Sequence, residues 1–99
     1  MNLDWTEIAI DDYDQCILYL EKKFSEREVY KFIDLMDHTL ELICKNPTTF
    51  PKSEYIDIRY VVVMKPITIF YTISEQKVIQ IIRVWNNRKE KNKGGIMIE

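Results

Sequence analysis

The stretch IDIRYVVVMKPITIFYTISEQKVIQIIRVW, residues 56–85, decides the fold. It is dense in β-branched and aromatic residues, which suit a pleated, half-buried surface, and its apolar spacing is extended rather than helical. Two breaks divide it, Lys65-Pro66 and Ser74-Glu75-Gln76-Lys77, leaving strands over 56–64, 67–74 and 78–85. Both breaks are short enough for hairpins, so the three strands are expected to run as an antiparallel meander. Residues 2–5 read as a short additional edge strand.

Upstream of this stretch the period is helical. Ile8 or Ala9, Tyr13, Cys16, Ile17, Leu20 and Phe24 recur at three- and four-residue intervals, which predicts a helix over 6–24 with one apolar face. Asp11, Asp12, Asp14, Glu21 and Lys22 fall largely on the other side. Ser25-Glu26-Arg27-Glu28 has the form of a capping box, in which the serine hydroxyl takes the amide of residue 28 and the glutamate reaches back. A second helix starts there, with Val29, Phe32, Ile33, Met36, Leu40 and Ile43 on its apolar face. It should stop at Asn46, because Pro47 restricts the residue before it and cannot extend the hydrogen-bond ladder. So short a connection makes the two helices an antiparallel hairpin. The expected class is α+β: an N-terminal antiparallel helical hairpin packed on one face of a small antiparallel sheet of three to four strands.

Composition bounds what such a domain can do. With 99 residues, 46% hydrophobic and 30% charged, the chain suits one compact domain spanning 1–99, with a basic tail over 86–99. A domain of this size buries roughly two-thirds of the surface its unfolded chain exposes, enough to fold without staples but with little stability to spare. Cys16 and Cys44 lie among apolar residues of two separate helices and read as reduced thiols. No run approaches the roughly 20 apolar residues of a membrane span, and the N-terminus has no targeting pattern, so a cytoplasmic protein is expected. Residues 1–50 carry eleven acidic and five basic side chains, a net of −6, whereas residues 51–99 carry five and nine, a net of +4. The basic excess gathers in Arg83, Arg88, Lys89, Lys91 and Lys93, either a phosphate- or carboxylate-attracting patch or a solvated tail that keeps the chain soluble.

Few residues have the form of a catalytic set. His38 is the sole histidine, lies within the second helix beside Asp34 and Asp37, and has no cysteine or second histidine at ligand spacing, so no metal is expected. The only glycines, Gly94 and Gly95, follow every predicted element, which removes a glycine-rich phosphate loop and leaves no cofactor to expect. Carboxylate pairs such as Asp11 with Asp12 sit on helix faces where nothing would raise a pKa. What remains is the sheet. Arg59 and Arg83 interrupt apolar strands, and Trp85 and Arg88 close the last one, so three cations and an aromatic ring are candidates for one docking surface for nucleic acid or an acidic protein. The alternative is that these arginines are ordinary strand residues paired with Asp57 or Glu54.

Taken in order, Trp5-Thr6-x-x-Ala9 ahead of a helix, Phe24-Ser25-Glu26 between two helices, Asn46-Pro47 then Phe50-Pro51, Arg59 with Val61-Val62-Val63, Ile69-Phe70-Tyr71, and Ile81-Ile82-Arg83-Val84-Trp85 then Arg88 resemble the RelE/ParE superfamily of type II toxin-antitoxin toxins over nearly the whole chain. The resemblance implies a helical hairpin on a small antiparallel sheet, neutralised by a cognate antitoxin, in a growth-inhibiting or plasmid-stabilising system. RelE-type members cut messenger RNA on the ribosome with clustered arginines and lysines and a tyrosine or histidine near the C-terminus, since attack on phosphate builds charge that cations must meet beside an acid and a base. Here Thr68 stands where those toxins open the aromatic strand with arginine, and no tyrosine or histidine follows Trp85; Arg88 alone matches.

The sequence therefore looks closer to the ParE branch, whose better-known members bind DNA gyrase rather than performing chemistry. In that reading Arg59, Arg83, Trp85, Arg88, Lys89 and Lys91 contact the target or the antitoxin. The alternatives are a ribosome-dependent messenger RNA endoribonuclease and a non-toxic member that only binds an antitoxin; a homodimer and a heterotetramer with antitoxin are both open.

Overall fold

The hydroxyl of Thr6 starts the first helix by accepting the amide of Ala9 at 3.0 Å, the N-cap bond that satisfies one of the helix's orphan donors. In the computed structural model, which describes residues 2–55 and 57–90 apart from the side chains of 89 and 90, this helix is α1, Glu7–Lys23. It closes at Phe24, whose amide donates to the Leu20 carbonyl. The second helix, α2, runs Glu26–Lys45 and ends before Pro47 as expected. Ser25 is its N-cap, but the expected capping box is absent: the serine side chain makes no capping bond, because the amide of Glu28 is already taken by the Ser25 carbonyl at 3.1 Å.

Four strands form one sheet: β1 (Asn2–Trp5), β2 (Arg59–Met64), β3 (Ile67–Ile73) and β4 (Val78–Asn86), in the order β1-β4-β3-β2. The meander β2-β3-β4 is antiparallel, as the two short breaks require. The sheet as a whole is mixed rather than purely antiparallel, since β1 pairs parallel to β4, from Asn2 opposite Val78 to Trp5 opposite Ile81. A parallel pair needs a long crossover, and here both helices and two strands supply it. β2 also begins at Arg59 rather than three residues earlier. The Ser53 amide donates to the Ile58 carbonyl at 2.7 Å, the Tyr55 amide donates to the Ser53 hydroxyl at 3.0 Å, and Asp57 turns the chain at φ 62, which no strand can continue. The first residue of the expected strand, 56, lies outside the described residues. One helical turn, α3 (Asn87–Glu90), follows β4.

Both helices cover one sheet face, α1 over β4 and α2 over β2. The shared core takes Ala9, Cys16 and Leu20 from α1, Val29, Phe32, Met36 and Ile43 from α2, and Val63, Ile67, Ile69, Tyr71, Ile79, Ile81 and Val84 from the strands. Of the Ile8 or Ala9 alternative, the buried residue is Ala9, while Ile8 is exposed. Phe24, expected on the apolar face, is instead exposed, because the chain turns out of the helix there with φ −128 and ψ −103. Cys16 is buried and Cys44 half-buried, and neither is in a disulfide. No described helix is long and apolar enough to cross a membrane.

Candidate functional site

β4 is longer than β1, and past Ile81 its outer edge has no strand partner among the described residues. Unpaired edge groups must be satisfied or covered, and the start of α1 does both. The Thr6 amide donates to the Ile81 carbonyl at 3.1 Å and its hydroxyl to the Ile82 carbonyl at 3.2 Å. Nearly two turns later Asp12 Oδ2 accepts the amide of Val84 at 3.0 Å. The same carboxylate accepts Arg83 Nε at 2.7 Å on Oδ2 and Nη2 at 3.0 Å on Oδ1, a two-pronged pair. Arg83 also lies over the Trp85 ring, its Cζ 5.0 Å from the centroid. Hydropathy periodicity puts Asp12 on the polar face of α1, yet its side chain is only 13% exposed; it joins α1 to β4.

Arg59 is occupied in a different way. Its register partner is Tyr71, which faces the core, and its Nη1 donates to the Phe50 carbonyl at 2.6 Å. Tyr71 Oη donates to the Pro47 carbonyl, also at 2.6 Å, so the two side chains fasten the connection between α2 and β2 onto the sheet. Burial pushes the Tyr71 hydroxyl pKa up, with the Arg59 guanidinium pulling the other way. Neither Asp57 nor Glu54 is the partner that holds Arg59; a backbone carbonyl is.

The sheet face away from the helices carries the apolar side chains that alternate with the core. Tyr60 and Val62 of β2, Thr68 and Phe70 of β3 and Trp85 of β4 line a pocket of about 430 Å³, rimmed by Lys52, Ser53, Glu54 and Asn87. Thr68 is opposite both Val62 and Trp85, at the centre. The Tyr60 and Phe70 rings stand 6.3 Å apart, Val62 is exposed, and Trp85 Nε1 donates to Asn87 Oδ1 at 3.1 Å. The alternation of β2 and β3 implies this cluster, but its apolar members carry none of the charge that marks Arg59, Arg83 and Arg88 in the sequence.

The arginines therefore do not gather. Arg59 lies on the core side of β2, Arg83 of β4 is paired with Asp12 of α1 and lies over Trp85, and Arg88 is in α3, where it is exposed and its amide donates to Asn86 Oδ1 at 3.1 Å. α3 is tied to the β2–β3 turn by the Asn87 amide, which donates to the Pro66 carbonyl at 3.1 Å. Lys89 lies in α3 with its side chain undescribed, and Lys91 lies outside the described residues. His38 is exposed on α2. Among the described residues no group of three His, Cys, Asp or Glu gathers that could hold a metal ion.

The same helices and sheet recur in known toxins. A chain from the chromosomal ParDE TA system of P. aeruginosa superposes with a TM-score of 0.73 at 20% identity, over 87% of this chain and 95% of that one. A YoeB/ParE toxin from Agrobacterium tumefaciens gives 0.62 at 13% identity, over 85% and 95%. A chain of the heterotetrameric YoeB-YefM toxin-antitoxin complex from Staphylococcus aureus gives 0.58 at 16%, over 85% and 93%. At these identities the likeness is one of fold. No curated protein matches the sequence. The family model for the ParE toxin of the type II toxin-antitoxin system, parDE, matches residues 3–90, nearly every described residue. The chain thus belongs to the ParE toxin family of type II toxin-antitoxin systems.

Proposed function

We propose that this ParE-family toxin acts in the cytoplasm by binding a macromolecular target, with DNA gyrase as the candidate, and that a cognate antitoxin holds it inactive. The observation that carries the reading is the character of the open sheet face. Its pocket is walled by Tyr60, Val62, Phe70 and Trp85 around a neutral Thr68, while Arg59 is held by the Phe50 carbonyl and Arg83, which lies over the Trp85 ring, has its guanidinium paired with Asp12. Aromatic anchors in a half-open pocket are what a protein interface uses for affinity. A phosphate-cutting site instead needs cations aimed at developing charge. The antitoxin partner is carried over from structural neighbours that are toxin-antitoxin complexes, YoeB-YefM from Staphylococcus aureus and DinJ-YafQ from E. coli.

The test is expression of the chain without a partner, scoring growth, supercoiling by gyrase in extracts and the integrity of messenger RNA together. Growth arrest with lost supercoiling and intact RNA is expected, and Trp85→Ala should relieve it at unchanged circular dichroism. Cleaved RNA with supercoiling intact would overturn the reading. A ribosome-dependent endoribonuclease is the second reading, favoured by the meeting of Lys52, Glu54 and Tyr60 at the same pocket; it requires cleavage that Tyr60→Phe abolishes. Normal growth would instead support a non-toxic member that only binds an antitoxin.

A further inference from the structure

Trp85 lines the open-face pocket opposite Thr68, and its ring is held at two points. Its Nε1 donates to Asn87 Oδ1 at 3.1 Å, and the Arg83 guanidinium stands over the ring, Cζ 5.0 Å from the centroid. Two residues apart on β4, Arg83 and Trp85 project from the same face of the sheet, and Arg83 is opposite Phe70 in register. From that face the arginine reaches round the β4 edge to Asp12 of α1, giving Nε and Nη2 to the two carboxylate oxygens at 2.7 and 3.0 Å. Asp12 is fixed in turn by the Val84 amide of the same strand, at 3.0 Å.

Closing the strand edge does not require the arginine. The carboxylate alone accepts the Val84 amide, and a lysine ammonium could offset its charge. A guanidinium adds a rigid fork of donors on a delocalised cation, so it can give parallel bonds to a carboxylate and still sit over an aromatic ring. A lysine, with a single point charge, cannot do both in one geometry. An indole side chain has two torsions to fix, and a cation over the ring together with the Nε1 bond restricts both. Tryptophan is a common anchor of protein interfaces, and an anchor already held in its bound orientation is spared the ordering cost that association otherwise imposes.

We infer that Asp12 and Arg83 are positioning residues that act through Trp85: the carboxylate orients the guanidinium, the guanidinium orients the indole, and the indole meets the target as a preformed wall of the open-face pocket. Asp12 thereby sets target affinity from a helix on the other side of the sheet. The inference rests on the reading of the open face as the target-binding surface, but the orientation of Trp85 is measurable with no target present.

The test is fluorine NMR of the full chain labelled with fluorotryptophan, run beside inhibition of purified gyrase; Trp85→Phe tells the Trp85 resonance from that of Trp5. In the unsubstituted chain Trp85 should give one resonance displaced from free fluorotryptophan. Arg83→Met should split that resonance or move it towards the free value while Trp5 stays put. The same variant should raise the concentration needed for half-inhibition about two- to tenfold, the cost of ordering one side chain on binding. Arg83→Lys should recover the melting temperature by keeping an ion pair with Asp12, yet leave Trp85 loosened and inhibition weak, which a purely structural pair would not do. Asp12→Asn, which leaves an oxygen for the Val84 amide, should loosen Trp85 in the same way. A Trp85 resonance indifferent to Arg83→Met would overturn the inference, as would full recovery of both readouts in Arg83→Lys, or a loosened Trp85 with unaltered inhibition. A chain without effect on gyrase would sink the target reading instead, while the fluorine signal still upholds or overturns the positioning of Trp85.

Discussion

Replacing Asp12 by alanine should cost this domain more stability than any other single surface-helix substitution, and the reason is countable. One carboxylate accepts from the Val84 amide at 3.0 Å and from Arg83 at 2.7 and 3.0 Å. Val84 is 2% exposed, so its stranded N–H costs about 1–3 kcal/mol. The ion pair is part-exposed, 28% on the arginine and 13% on the aspartate, so after solvent screening it adds about 1 kcal/mol. The total is about 2–4 kcal/mol, a large share of the roughly 5–15 kcal/mol typical of a domain. At about 4–8 °C per kcal/mol the melting point should fall by roughly 8–32 °C. Arg83→Ala should cost only about 1 kcal/mol of pairing, because Asp12 keeps the Val84 amide. In urea titrations of both singles and the double variant, the double should be close to Asp12→Ala alone, with a coupling of about 1 kcal/mol. If Arg83→Ala costs as much as Asp12→Ala, or the two add without coupling, the carboxylate is not closing the strand edge and the reasoning is wrong.

Two further outcomes follow from the same geometry. Burial raises the Tyr71 pKa against the opposing pull of Arg59, so the folded chain holds that proton more tightly than the unfolded one; stability should be level below about pH 10 and fall as pH climbs beyond it. Tyr71→Phe loses the bond to the Pro47 carbonyl, about 1 kcal/mol at neutral pH, and should shallow the alkaline decline in urea titrations, with a residual slope from Tyr13, also raised by burial; an unchanged slope would reject this account. Lys77 sits at φ 66 in the β3–β4 turn, where its amide donates to the Ser74 carbonyl at 2.9 Å. Lys77→Gly should raise stability by about 0.5 kcal/mol, as relief of left-handed strain outweighs the freedom glycine gives the unfolded chain; a lower melting temperature would contradict it.

Much of this architecture is legible in local patterns. The three strands of 56–85, the stop before Pro47 and the buried faces of both helices follow from periods of two and 3.6 residues, because each side chain's face is set by its own backbone. The alternation that buries Ile67, Ile69 and Tyr71 also throws Thr68 and Phe70 onto the open face, so even the pocket beneath Trp85 was readable in principle. The parallel direction of β1 was not, since pairing direction depends on which sheet edge the returning chain finds vacant. Nor was the exposure of Phe24, which the turn out of α1 decides after the helical pattern has run out.

The charged residues divide the two kinds of information most clearly. Sequence alone determined the element types, the core-facing positions and the likeness to a toxin family, all carried by short-range spacing and residue chemistry. Only the tertiary structure decided which charges are available. Arg59 and Arg83 look equivalent in the sequence, yet one meets a backbone carbonyl nine residues away and the other a carboxylate seventy-one residues away. Strand order and register bring such partners together, and these arise when non-adjacent elements pack, a step on which periodicity along the chain carries no information.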